Sequence, residues 1–242
     1  MTFESGSAKR RYVQDMFGRI AGRYDLMNRV MTFGQDGRWR RALVAAAAVP
    51  PGGRLLDIAT GTGDVAFTAL RGANPPGLIV GADFTLPMLR LAQQRAARQP
   101  PPQSRRLYWI AGDTLSLPFA SDTFDAVASA FLMRNVTDVP AALREQLRVV
   151  RPGGRVVILD IPRRGDRTWR HRLSRLYFQR IVPILGLVLA GHQDAYKYLP
   201  VSAESFLTPD ELASIMEKSG CAQVSYRLFM MGAVALHVGC RP

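Results

Sequence analysis

Cysteine is nearly missing from this chain of 242 residues, which holds only Cys221 and Cys240. Neither has the paired short spacing of a metal knuckle, and two thiols cannot frame a disulfide scaffold, so a reduced, cytoplasmic protein is expected. Histidine is down to three, His171, His192 and His237, far apart in sequence, and no metal site is expected. Acid is scarce: 19 Asp and Glu stand against 32 Lys and Arg, giving a net charge of +13. That balance favours anionic surfaces, either nucleic acid or lipid headgroups. Long apolar runs are missing too. The longest nearly apolar stretch, Ile181 to Ala190, falls far short of the roughly 20 residues that span a bilayer. The N-terminal MTFESGSAKRR lacks the apolar core of a signal peptide. The expectation is a soluble protein, at most peripheral on the inner face of the cell membrane.

What is present is an ordinary globular composition, 48% hydrophobic and 21% charged, which excludes wholesale disorder and suits one domain of the larger kind. The most informative stretch is Arg54 to Ala66, RLLDIATGTGDVA. A short apolar strand ends in Asp57, a turn of small residues follows through Gly61, Thr62 and Gly63, and Asp64 opens a helix. Small residues let a backbone approach a ligand closely, and the N–H groups opening the helix face the same crevice. Open α/β sheets bind ligands there, beyond the carboxyl ends of their strands.

The pattern Gly61-x-Gly63-x-x-Ala66 formally fits a dinucleotide fingerprint. Asp57, however, would repel a pyrophosphate and accept from an ammonium group. Asp83 ends a second apolar run, where a carboxylate takes two ribose hydroxyls. Asp113 ends a third, in AGDTLSLPF, where its carboxylate accepts from an exocyclic amine while the Thr114 N–H meets a ring nitrogen. A ligand with a ribose, an amino group, an adenine and no phosphates is S-adenosylmethionine.

Taken in order, residues 1–11 read as a flexible start. Helical spacing then runs from Tyr12 to Ile20, through YDLMN at 24–28, and from Asp36 to Val49, where Pro50 and Pro51 stop it. Strands and helices alternate from there, and two last strands separated only by Met230, Met231 and Gly232 should form an antiparallel hairpin. The expected fold is α/β: a doubly wound, mostly parallel, Rossmann-like sheet of seven strands with an antiparallel last strand. The expected organisation is a single domain. It has a helical cap (1–50), a cofactor core (51–162), a basic and apolar helical insertion (163–207), and a closing helix and hairpin (208–242). Between Arg163 and Arg180 seven arginines accompany Trp169, Leu173, Leu176 and Tyr177 at helical spacing. That pattern reads as an element for anionic membrane surfaces, as a lipophilic lid, or equally as a solvated basic face on an inserted helix pair. Stacking aromatics and an added domain for nucleic acid are not visible, so no nucleic-acid partner is expected.

These stretches together resemble the menaquinone/ubiquinone ring C-methyltransferases, the UbiE/MenG type among class I S-adenosylmethionine-dependent enzymes. The resemblance rests on YDLMN with Phe33 and Trp39 downstream, on Asp57 through Asp64 with Asp83, and on Asp113 with Leu117-Pro118-Phe119. It continues through Arg134-Asn135-Val136, Arg151-Pro152-Gly153-Gly154, Tyr196-Lys197-Tyr198-Leu199 and Val234-Ala235-Leu236-His237. The glycine turn is general to the superfamily; YDLMN, the RNV stretch and VALH belong to this branch. Four positions depart from the family's habit: Asp36 replaces a histidine, Asp160 a glutamate, and Ala130 and Pro162 each a serine.

The resemblance implies methylation of a ring carbon in a prenylated hydroquinone, demethylmenaquinol first, with a ubiquinone or phylloquinone precursor or another small lipophilic substrate as the alternative. It implies catalytic roles for Arg134 and Asn135, facing the ring hydroxyl from the end of strand four, and for Tyr24, descending from the N-terminal cap. The cofactor would be held by Asp57, Gly61, Thr62, Gly63, Asp83, Asp113 and Thr114. A homodimer stays open.

Overall fold

The computed structural model describes residues 6–101, 103–163 and 193–242. Seven strands form one sheet: β1 (Arg54–Ile58), β2 (Leu78–Asp83), β3 (Leu107–Ala111), β4 (Phe124–Ala130), β5 (Val150–Asp160), β6 (Ala222–Phe229) and β7 (Val234–Cys240). Their order is β3-β2-β1-β4-β5-β7-β6. The first five run parallel, and β7 lies antiparallel between β5 and β6. The expected mostly parallel sheet closed by a hairpin is what forms.

The strands read as near-continuous apolar runs because both faces are covered. Alternate residues go to opposite sides. Leu56, Ile58 and Val80 pack with Leu143 and Leu147 of α6 (Val139–Val149) and with Leu212 and Met216 of α8 (Pro209–Lys218). Leu55 and Ile79 pack with Trp39 and Leu43 of α3 (Asp36–Ala47) and with Val65 and Phe67 of α4 (Asp64–Leu70). The helix starts are chemically marked. Asp138 accepts from the Ala141 N–H at 2.8 Å, and Thr208 and Glu211 form a reciprocal capping box.

A third apolar cluster lies beyond the carboxyl ends of the strands. It joins Val13, Met16 and Ile20 of α1 (Gly6–Ile20) to Met27 of α2 (Tyr24–Met31) and to Tyr198 of α7 (Gln193–Glu204), and Phe84 at the end of β2 packs against it. Those helices roof the end of the sheet where a ligand belongs.

Two local readings need correcting. The chain is helical from Gly6, not flexible through residue 11. The Lys9 ammonium donates to the Arg134 and Val136 carbonyls at 3.3 and 3.2 Å, and Arg10 pairs with Asp113 at 2.9 Å. Such tertiary anchors are invisible in a short polar sequence. RPGG at 151–154 reads in the sequence as a helix–turn–strand junction, but strand β5 begins at Val150 and RPGG lies inside it; the pairing with β4 shifts register between Phe124 and Ala126 to absorb those residues. The basic, apolar stretch expected to bind membranes lies outside the described residues, apart from Arg163, whose guanidinium donates to both carboxylate oxygens of Glu211.

Glycine 81 in β2 shows how tightly the sheet is packed behind the glycine turn. A Cβ there would stand 2.5 Å from the Trp109 ring and 2.9 Å from Thr60 Oγ1, whereas one on Gly37 in α3 meets only an Arg41 nitrogen at 4.0 Å. Gly81→Ala should therefore lose about 1–3 kcal/mol of unfolding free energy through overpacking. Gly37→Ala should gain up to about 1 kcal/mol from helix propensity. Urea titration of the two variants checks both signs.

Candidate active site

Two clefts open beyond the carboxyl ends of β1, β2 and β4, with volumes of about 510 and 650 Å³. They share five wall residues, Ala59, Asp83, Phe84, Leu132 and Asn135. The first continues past Arg10, Val13, Asp113, Thr114 and Leu115. The second continues past Tyr24, Arg40, Thr60 to Thr62, Asp64, Ala130 and Phe131. One elongated ligand laid across Asp83 would occupy both.

Asp83 is buried at the junction. Its carboxylate accepts from the Gly61 N–H at 2.8 Å on one oxygen and from the Thr85 N–H at 2.8 Å on the other. The Thr85 side chain and the Phe84 backbone add hydrogen bonds to the same carboxylate. Burial pushes its pKa up, against the backbone N–H bonds that favour the charged form. Gly61 has a φ of +57° and nothing within 4 Å of where a Cβ would stand, so the turn presents bare backbone beside the carboxylate. Gly63 has the opposite reason to be glycine: at φ +90°, a Cβ would collide with Trp109 at 2.6 Å and Phe67 at 2.8 Å.

Asp57, expected on the ligand, lines neither of these clefts. It is turned behind the glycine turn, where one oxygen accepts from Thr60 Oγ1 at 2.6 Å and from the Ala66 N–H at 3.1 Å. Burial raises its pKa to about 7, with those two hydrogen bonds opposing. It fastens the turn to the first turn of α4, and any attraction for a bound cation acts across the turn.

Thr62 lines the second cleft, its hydroxyl donating to Asp25 at 2.6 Å. In the first cleft, one Asp113 oxygen accepts from the Leu115 N–H at 3.1 Å and the other pairs with Arg10. Thr114 Oγ1 is buried beside them without a protein partner.

The three residues expected to act on substrate are placed differently from one another. Asn135 stands in the shared wall. Its amide nitrogen donates to the Phe131 carbonyl at 3.1 Å, leaving Oδ1 buried without a partner. Tyr24 lines the second cleft, and burial raises its phenol pKa against the Asn28 side chain and the Arg134 and Arg40 charges. Arg134, expected to face the ring hydroxyl, is absent from both walls. Its guanidinium donates to Asp160 at 2.6 Å, its backbone N–H donates to the same carboxylate at 3.2 Å, and it lies 5.5 Å from the centre of the Phe131 ring. With both side chains buried, a cation this close to a carboxylate stays there. Asp160, one of the four departures, is thus the partner of the family's arginine.

Sequence reasoning missed the ion pairs that close the second cleft. Arg40 bridges Asp36 at 2.5 Å and Asp64 at 3.0 Å. Arg95, from α5 (Leu86–Ala97), bridges Asp64 at 2.8 Å and Asp25 at 2.9 Å, and donates to the Thr62 carbonyl at 2.8 Å. Asp36, the second departure, is the outer end of this chain. The arginines gave no signal, since one arginine on a helix reads like any other; the acids inside apolar helical stretches were the available hint.

The Asp57 pKa carries a testable sign. A carboxyl whose folded pKa is raised contributes stability that is full below its unfolded value near 4 and is lost as pH rises through about 7. Asp57→Asn removes that titration while keeping an acceptor. The variant's stability relative to the parent should therefore climb between pH 4 and 7, by about 1.4 kcal/mol for each tenfold change in proton affinity, and level off above. Denaturant titrations across that range check the slope.

Comparison with known proteins gives this site a family. A demethylmenaquinone methyltransferase from Roseiflexus castenholzii is 48% identical over 233 residues, covering 96% of this chain and 94% of its own. One from Thermus thermophilus is 43% identical, covering 94% of this chain and all of its own. A ubiquinone/menaquinone biosynthesis C-methyltransferase from Desulfotalea psychrophila is 42% identical, over 95% and 90%. Among solved structures, an S-adenosylmethionine-dependent methyltransferase from Thermotoga maritima superposes with a TM-score of 0.64 at 18% identity, covering 94% of this chain and 99% of that one. The [4+2]-cyclase SpnF does so with 0.65 at 16% identity, over 85% and 80%. A cyclase on the same fold shows that architecture alone does not fix the reaction. The family model for the ubiE/COQ5 methyltransferases matches residues 5–241, and the chain, an α/β methyltransferase, belongs to that family.

Proposed function

We propose that this methyltransferase transfers a methyl group from S-adenosylmethionine to a ring carbon of a prenylated hydroquinone, with demethylmenaquinol as substrate. The observation that carries the reading is the pair of clefts meeting at Asp83 and Asn135, in a chain whose relatives are named for that substrate. The residues present fit the cofactor. The orphaned Thr114 hydroxyl and the Asp113 carboxylate suit an adenine in the first cleft, and Asp83 suits the ribose at the junction. The bare turn at Gly61, with Thr62, Arg40 and Asp64 in the second cleft, suits a charged amino-acid end. When bound, the cofactor supplies an electrophilic methyl on a sulfonium.

The chain's own residues then have to position a ring carbon and favour its hydroxyl as phenolate, since a neutral ring is a poor nucleophile. Asn135 Oδ1, with no internal partner, accepts from the hydroxyl and orients the ring. Tyr24, whose phenol keeps its proton at neutral pH, donates to the developing oxyanion. Phe131 and Ala130 give an apolar wall that excludes water. Among the described residues of the second cleft both Asp64 oxygens are held by arginines and Asp83 is given to the ribose. The hydroxyl proton, and the ring hydrogen released once the new carbon–carbon bond has formed, therefore leave to solvent through the open side of the cleft. Arg134 and Asp160 hold the Phe131–Asn135 segment in place from behind. A prenylated substrate resides in a bilayer, and the net charge of +13 supports approach to an anionic surface.

Three variants separate these roles. Asp83→Ala should weaken S-adenosylmethionine binding by about 1.5–3 kcal/mol, the worth of hydrogen bonds to a charged acceptor, as read by calorimetry. Asn135→Ala should leave that affinity within a few-fold while lowering turnover on demethylmenaquinol at least tenfold. Arg134→Ala should strand a buried carboxylate and cost about 3–5 kcal/mol of stability, which melting curves reveal. If Asn135→Ala lowered affinity and turnover together, the residue would belong to the cofactor's site and the substrate assignment would fail.

A further inference from the structure

The cap carries apolar side chains that neither the core nor the clefts use. Along α2 and the turn after it, Arg23, Leu26, Arg29 and Phe33 recur at three- and four-residue spacing and are exposed, Leu26 to 55% and Phe33 to 71%. Phe33 has a φ of +51°. It holds the left-handed position that closes a helix, with its N–H donating to the Val30 carbonyl at 3.2 Å and the Gly34 N–H donating to Arg29 at 2.8 Å. Glycine normally takes that position, so an aromatic here costs backbone strain as well as exposure.

The same combination recurs at the turn between β6 and β7. Met230 and Met231 have φ values of +46° and +54°, and Met231 is 68% exposed. This turn stands at the cleft end of the sheet, because Ala235 at the start of β7 pairs with Asp160 at the end of β5. Phe229 and Val234 on either side of it pack in the cluster of Trp39, whose helix α3 contributes Arg40 to the second cleft. Tyr24 on α2 lines that cleft as well.

The charges around these side chains are of one sign. Between residues 23 and 41 the only acids are Asp25 and Asp36, both held in ion pairs, and Arg29, Arg38 and Arg41 are exposed. Strained apolar side chains standing among exposed arginines match an anionic lipid surface, where the chains enter the acyl boundary and the guanidinium groups meet phosphates.

We propose that Leu26, Phe33 and Met231, with the arginines of the cap, form the membrane-docking rim of this enzyme. This face sets the second cleft against the bilayer, from which a prenylated ring enters. The proposal rests on the lipophilic-substrate reading above and places the docking surface on the cap, separately from the basic stretch after Arg163.

The test is a triple variant, Leu26→Gln, Phe33→Gly and Met231→Gly, compared with the parent enzyme in sedimentation with phosphatidylglycerol and phosphatidylcholine vesicles. The parent should bind phosphatidylglycerol vesicles, more weakly as salt rises, and the variant should lose at least tenfold in that affinity. Its melting temperature should hold or rise, since both glycines relieve left-handed strain. Turnover on a short-chain soluble quinol should stay unchanged while turnover on a long-chain quinol in vesicles falls at least fivefold. Equal vesicle binding by variant and parent, or no binding by the parent, overturns the proposal. So does a change of oligomeric state in the variant, which would make the rim a contact between copies, or equal loss on both quinols. Loss of vesicle binding in an enzyme whose parent turns over neither quinol would leave the docking rim standing and remove the substrate reading instead.

Discussion

The second cleft depends on one run of alternating charges, Asp36–Arg40–Asp64–Arg95–Asp25. Its links, 2.5 to 3.0 Å long, join α3, the first turn of α4, α5 and α2. Two guanidinium groups shared among three carboxylates leave one net negative charge beside the bare glycine turn. That sign suits the sulfonium and ammonium proposed to lie there, and the half-buried setting screens it less than surface water would. The run is also mechanical. Arg95 donates to the Thr62 carbonyl and lies 4.7 Å from the centre of the Phe67 ring, so the turn, the roof and the α4 core are held by one side chain.

The side of the site proposed for substrate is organised by a second, buried pair, Arg134 with Asp160. It fixes the segment from Phe131 to Asn135 against the end of β5, so that Asn135 reaches the junction of the clefts with one oxygen unspent. Tyr198 packs near the same pair, its hydroxyl buried without a partner and its pKa pushed up to about 12 by burial. Among the described residues the site therefore has fixed hydrogen-bond donors and acceptors and none poised as a strong base. Methyl transfer from a sulfonium asks for that arrangement: positioning and exclusion of water do most of the work.

The sheet was legible because parallel strands covered on both faces must be apolar runs, and the turns between them carry glycine and proline for steric reasons. The place of Asp83, Asp113 and Thr114 in the cleft walls was legible too, since residues at strand ends inherit their position from the topology. Arg134 was placed at the right strand end but with the wrong partner, because the sequence shows Asp160 only as one more acid 26 residues away. Asp57 sits at its expected strand end, yet its orientation depends on which side of the turn Thr60 and Ala66 present. Lys9, Arg10, Arg40 and Arg95 were not legible at all. Their roles come from helices crossing in space, and nothing in a local pattern distinguishes an arginine that bridges two acids from one that faces water.

That the enzyme methylates a quinol ring is tested most directly in the lipid of cells that carry or lack this gene. Mass spectrometry of the extracted quinones should show a species lighter by one methyl group accumulating without the gene, and the methylated quinone returning when the gene is restored. Unchanged quinone masses in both strains would contradict the assignment.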